Sequence, residues 1–202
     1  ASNYDLWEGG ARYAAGIKAT ANWGEQSSVS GMFGRRWRED ADPAFSEANN
    51  LSGTESDYVT SFDLALNKSL SFNTRMRLDE TDLDVKRIDA SAHVDLWRIK
   101  ARTRYFRLDD SLKSTGTEEG VQLTSQFRMN SRWSLVYGLE RNIADERNIR
   151  QTAGVAYEDD CSYFQLAYQR SDAIDRTLGP SDSIRFMFAL KTLGSLGDNE
   201  FD

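Results

Sequence analysis

The 202-residue chain has no apolar run near the roughly 18 residues that a membrane-crossing helix needs, which excludes a helical span. Transmembrane strands stay open, because a lipid-facing strand needs an apolar residue only at every second position. A helical period is missing too: nowhere do apolar residues recur at 3.6 spacing with any strength. The single cysteine, Cys161, excludes an internal disulfide, and the single histidine, His93, narrows acid–base chemistry. His93 has acidic neighbours, yet no serine, cysteine or third group stands at a spacing that completes a nucleophilic set. Metal-ligand spacing and a phosphate-cradling glycine loop are likewise absent, so no cofactor, no metal and no enzymatic activity are expected. Both prolines, Pro43 and Pro180, fall in polar loop-like sequence, the confinement expected of a chain built from strands. A formal charge of -7 argues against nucleic-acid binding through phosphate neutralisation. With no initiator methionine and no signal-peptide pattern, the chain reads as a mature segment or a fragment.

What is present is alternation with period two. In Ser181–Leu193, Ile184, Phe186, Phe188 and Leu190 fall on one face of an extended chain, and Arg185, Met187, Ala189 and Lys191 on the other. A helix would rotate Phe186 away from Ile184 and Phe188. The same pattern recurs along the chain and predicts about eleven strands of about 9–12 residues, the length of tilted bilayer-crossing strands. Their connections alternate in length. Gly24–Ser27, Asn67–Ser69, Asp159–Cys161 and the reversals near Leu96 and Asn130 are tight, whereas the intervening links are longer and more polar, Glu39–Ser56 most of all. Short turns on one side and long loops on the other are the habit of outer-membrane barrels. Trp23, Trp97 and Trp133 flank the short turns, while Trp37 and Tyr58 lie toward the longer loops, as interfacial aromatic girdles require. A soluble β protein also brackets strands with aromatics. The many Arg and Lys on the polar faces favour a wet lumen over a dry core, where unpaired charges are prohibitive.

Charge is densest around the reversal at Leu96. A turn centred there would set Asp95 near Arg98 and His93 near Lys100. Arg75, Arg77, Arg98, Lys100, Arg102 and Arg104 would then form a basic lumen wall, able to hold phosphates or acidic sugars. The bland alternative is a cross-strand charge ladder in a solvated interior. Cys161, on a short and therefore periplasmic turn, sits in an oxidising compartment where an exposed thiol is normally paired. The alternative there is a tolerated free cysteine.

Four stretches carry a family likeness: YDLWEGGARY (Tyr4–Tyr13), LSGTESDYV (Leu51–Val59), VAYEDDCSYFQLAYQR (Val155–Arg170) and SIRFMFALKTLG (Ser183–Gly194). Together they resemble the C-terminal barrel portion of the lipopolysaccharide-assembly LptD (OstA) family, of α-proteobacterial type. The resemblance implies an all-β, up-and-down transmembrane barrel segment, residues 1–194, supplying about eleven of about 26 strands, with a polar tail at 195–202. It implies lipopolysaccharide transport in the outer membrane of a Gram-negative bacterium: sugars pass through the lumen and acyl chains leave sideways between the first and last strands. Ile184, Phe186, Phe188 and Leu190 would belong to one lip of that gate, and would be recognised by the barrel-assembly machinery. The implied partners are lipopolysaccharide, an LptE-like lipoprotein plug, and the periplasmic bridge that delivers to a missing N-terminal domain. Cys161 matches a cysteine that joins barrel to N-terminal domain, although Asp160 stands where the better-known pattern has a second cysteine. A small self-contained outer-membrane or periplasmic binding barrel is the alternative; an outer-membrane lipase ranks third, for want of a Ser–His pair.

Overall fold

The computed structural model describes residues 10–41, 52–109, 112, 118–172, 179–191 and 194–196. Pro43, the Tyr4–Gly9 part of the first quoted stretch and the tail beyond 196 lie outside them. Among the described residues there are twelve strands: β1 (Arg12–Trp23), β2 (Ser27–Arg38), β3 (Tyr58–Leu66), β4 (Leu70–Leu78), β5 (Val85–Leu96), β6 (Ile99–Leu108), β7 (Glu118–Arg128), β8 (Trp133–Asn142), β9 (Arg147–Glu158), β10 (Ser162–Ser171), β11 (Ser181–Leu190) and β12 (Gly194–Leu196). They form one sheet whose strand order follows the chain, the antiparallel up-and-down arrangement that the alternation predicts. The last long strand ends at Leu190 rather than Leu193. Gly194–Leu196 pairs antiparallel with Phe188–Leu190.

Turn chemistry explains the tight reversals. Asn67 adopts a left-handed φ of 58°, and its Oδ1 accepts the Ser69 N–H at 2.7 Å. Asn130 Oδ1 accepts the N–H groups of Arg132 and Trp133, both at 2.9 Å. Asp159 Oδ1 accepts those of Cys161 and Ser162, at 2.9 and 2.7 Å. Each side chain imitates a backbone carbonyl and closes its own turn. The length alternation is not strict: the β8–β9 link, residues 143–146, is as short as the β7–β8 turn, residues 129–132.

The chain divides into two compact units. The first comprises Ala1–Leu66, Phe72–Ala90 and Phe106–Glu118, and the second comprises Asn67–Ser71, Ser91–Tyr105 and Glu119–Asp202. In the second, register sets large apolar residues in continuous rows. Phe127, Leu135, Val155, Leu166 and Phe186 lie side by side across β7–β11, and Trp133, Tyr157, Phe164 and Phe188 form the adjoining aromatic row. Trp133 packs edge-on to Tyr157 with centroids 5.1 Å apart, and Phe164 to Phe186 at 5.0 Å. The opposite face carries small and polar residues: Ser134, Ala156, Gln165 and Met187 in one row, Val136, Gly154, Ala167 and Arg185 in the next. Exposure is inverted relative to a water-soluble sheet. On β8, inside the sheet, Leu135 is 44% exposed while its neighbour Val136 is 2% exposed. In the first unit, β1–β3 likewise set Ile17 beside Phe33 and Val29 beside Leu64, with Ile17 and Phe33 exposed.

Close strand approach on the small-residue face depends on Gly154. A Cβ there would lie 2.4 Å from the Leu166 carbonyl oxygen and 2.7 Å from the Ala167 Cβ, both fixed by the β9–β10 pairing. At Gly138 a Cβ would meet Thr152 at an ordinary 3.5 Å. We therefore expect Gly154→Ala to destabilise the protein by about 1–3 kcal/mol through overpacking. Gly138→Ala should be tolerated. Urea midpoints of the two refolded variants check this, and equal midpoints would contradict the close approach.

Candidate functional site

Within the first unit, the β2–β3 ladder acquires one extra residue at its loop end. Gly34 pairs with Val59, yet Trp37 bridges Glu55, so three steps along β2 oppose four along the other strand. That is a β-bulge, and its effect is to re-aim side chains. The segment zips on through Arg38 N–H donating to the Thr54 carbonyl (2.7 Å), Ser56 N–H to the Arg36 carbonyl (2.9 Å) and Arg36 N–H to Ser56 Oγ (2.8 Å). The bulge buries Asp57, which is 3% exposed. Its carboxylate accepts hydrogen bonds from Arg77 Nε on β4 and from Lys86 Nζ on β5, the latter at 3.1 Å. Lys86 also bonds Asp79 at 2.5 Å, and Asp79 accepts the Thr81 amide at 2.7 Å. The Lys86 hydrogen bond first, and the Thr81 amide second, hold the Asp79 carboxyl well below the usual carboxylate range. This clasp ties the loop-side ends of β3, β4 and β5 together.

Beside it, Arg35 lies between two aromatics. Its guanidinium carbon is 4.6 Å from the Tyr58 ring centroid and 5.3 Å from that of Trp37. Nη2 bonds Glu55 at 2.7 Å and Nη1 donates to the Tyr58 hydroxyl at 3.2 Å. Sequence reading passed over Asp57, Lys86 and Arg35. The one available signal was that the quoted stretch Leu51–Val59 contains both Glu55 and Asp57.

In the second unit, the β5–β6 reversal is a two-residue turn at Trp97 and Arg98 rather than one centred on Leu96. Lys100 therefore faces Asp95, at 3.7 Å, and Arg98 leaves the strand face to lie over the Trp97 ring, 4.3 Å from its centroid. Trp97 itself is 82% exposed and has φ 35°, a strained backbone for a bulky residue. Next to this turn, His93, Asp95, Lys100, Arg102, Thr124 and Gln126 line a depression of about 210 Å³. A second, of about 200 Å³, adjoins it through Thr124 and includes Gln122, Glu140, Arg150 and Thr152.

Each basic residue expected of the lumen wall has its place within its own unit. Arg75 and Arg77 belong to the first unit, Arg77 being engaged by Asp57; Lys100 and Arg102 line the depression of the second unit, and Arg104 is exposed farther along β6. Trp23 ends β1, Trp133 begins β8, Trp37 stands one residue before the end of β2, and Tyr58 begins β3. Ile184 and Phe186 are 75% and 62% exposed on β11, whereas Phe188 and Leu190 are half-buried. Cys161, the one cysteine of the sequence, is exposed in its turn. Among the described residues no group of three or more His, Cys, Asp or Glu is placed to hold a metal ion.

The sheet's exposed apolar face, its polar opposite face and its ordered strand succession meet an independent finding. The model of a family described as LPS transport system D, LptD, matches residues 1–138. The chain belongs to the LptD family. That family serves lipopolysaccharide transport and assembly and is not a family of enzymes. The LptD match includes the bulge and clasp but ends before Val155–Arg170 and Ser183–Gly194. No curated protein matches the chain.

The clasp has a pH signature. Folded Asp79 is held below its ordinary pKa of 3.8, so the unfolded chain binds more protons as pH falls. The stabilisation from Asp79 is complete above about pH 5 and is lost progressively below about pH 4. Asp57→Asn, which removes the buried carboxylate from two cations, should cost about 3 kcal/mol at neutral pH. Unfolding midpoints measured from pH 3 to pH 7 should show a flatter acid limb for Asp79→Asn than for the natural protein. An unchanged limb would discount the Asp79–Lys86 bond.

Proposed function

We propose that this chain forms part of an outer-membrane LptD barrel which conveys the sugar portion of lipopolysaccharide along its polar face, now a water-filled lumen. The acyl chains leave sideways at a seam beside β11. The inverted exposure on β8 carries this reading. In water, the unbroken rows from Phe127 to Phe186 and from Trp133 to Phe188 would be an aggregation liability; against acyl chains they are matched to their solvent. The Trp133–Tyr157–Phe164–Phe188 row takes the place of an interfacial girdle. Trp97, strained and exposed, is compensated by the same interface.

On this reading β11 is one lip of the lateral gate, with Ile184 and Phe186 toward lipid and Arg185 toward the lumen, and the barrel-assembly machinery recognises its apolar row. An LptE-like lipoprotein fills the lumen, and lipopolysaccharide arrives through an N-terminal periplasmic domain supplied by the bridge.

A photo-crosslinking residue placed at Gln165 or Ser183, on the polar face, should capture lipopolysaccharide in living cells. Capture from Ile184 on the apolar face, with none from either polar-face position, would defeat lumen passage.

Cys161 belongs to the same proposal as the barrel-side half of a disulfide to the N-terminal domain. In the full-length protein its thiol should resist maleimide until a reductant is added. Ready labelling without reductant would remove the bridge.

A further inference from the structure

We propose that the depression beneath the turn ends of β5, β6 and β7 is a binding station for a single sugar bearing one anionic group, a phosphate or a carboxylate. This station presupposes the wet lumen proposed above. Lys100 and Arg102 stand two residues apart on β6 and so project from one face of the strand. Both line the depression, and Asp95 is its one carboxylate, so the site is locally positive in a chain of net charge -7. Lys100 stands 3.7 Å from Asp95, beyond hydrogen-bonding length, so its ammonium donors remain available to an incoming oxyanion.

The other lining groups suit hydroxyls. A sugar hydroxyl both donates and accepts, as do the Thr124 hydroxyl and the Gln126 amide. His93 Nδ1 is buried here without a hydrogen-bond partner, a polar atom left for a ligand or an ordered water to satisfy. Size restricts the occupant. About 210 Å³ is smaller than the roughly 300–1,000 Å³ of pockets that enclose drug-sized molecules, so one ring fits and a whole amphiphile does not. The adjoining depression, where Gln122 Nε2 donates to Glu140 at 3.3 Å and Arg150 lies 4.0 Å from the same carboxylate, is charge-balanced. It suits the next, uncharged ring. A passing polysaccharide would thus be held weakly, one sugar at a time, as a conducting path requires.

The test uses Gln126→Cys in the full-length protein with its partners. Maleimide labelling of that thiol is timed with glucose 6-phosphate, glucuronate, glucose or inorganic phosphate present, and heat-modifiable mobility verifies folding of every variant. Glucose 6-phosphate or glucuronate should slow labelling saturably, and glucose only at about tenfold higher concentration. Lys100→Gln or Arg102→Gln should erase that tenfold advantage, and Thr124→Trp, which fills the depression, should abolish protection. Equal protection by glucose and both charged sugars would overturn the anionic requirement. Protection by inorganic phosphate equal to that by glucose 6-phosphate would overturn the sugar requirement. Lipopolysaccharide capture at Gln165 or Ser183 with no protection here sinks the station and leaves transport standing. Protection here without such capture keeps the station in a wet lumen and removes lipopolysaccharide passage along β10 and β11.

Discussion

The pleat of a β-strand sends successive side chains to opposite faces, and everything else in this molecule follows from which face meets which solvent. A one-residue slip between β8 and β9 would carry Leu135 and Tyr137 to the side of Val136 and Gly138. Register is therefore specified as strongly as in a buried core, but with the sense reversed. The large side chains are outside, and the small ones allow backbones to close up on the other side. Gly154 opposite Ala167, and Gly16 opposite Gly34, are where that closeness is greatest. Among the described residues, the closest packing resides in strand-to-strand contacts on the small-residue face.

Such a sheet has weak points at its strand ends, where the ladder gives out, and the ionic clasp stands at one of them. Asp57 is held by backbone geometry. The bulge between Gly34–Val59 and Trp37–Glu55 turns it inward, and Arg77 and Lys86 then supply two cations to a carboxylate that would be costly to bury alone. Arg35, Trp37, Tyr58 and Glu55 lie on the neighbouring turn of the same bulge. One extra residue thus organises two charge clusters, and it falls in a stretch that the LptD family match includes.

Fold class and strand succession were legible in the sequence because period-two alternation needs no tertiary information; β11 begins at Ser181, where alternation alone placed it. The clusters were not legible. A bulge breaks the alternation that locates strands, so Asp57, just past the loop placed at Glu39–Ser56, carried no strand signal. The β5–β6 turn was misplaced because Trp97 takes a left-handed φ that favours glycine, and no residue type announced it. That displacement moved Arg98 off the strand face and Lys100 onto Asp95, which changes what an anion would meet. β12 escaped notice because three residues are too few to show a period.

β12 bears on how a seam at β11 could open. One side of β11 pairs with β10 along its full length, from Ser181 to Leu190. On the other side, β12 pairs with β11 at Phe188–Leu190, three of its ten residues. If β11 is a lip of the gate, β12 and the opposite lip compete for the same backbone groups at the turn end. The stretch left to join the lips is then shorter than a full strand. A hydrogen-bonded seam weakens with every pair it lacks, and each unpaired backbone group at that depth must be satisfied by water rather than by lipid. On the proposed reading, a short seam beside a wet lumen would meet both conditions, with water reaching its freed groups from the polar side.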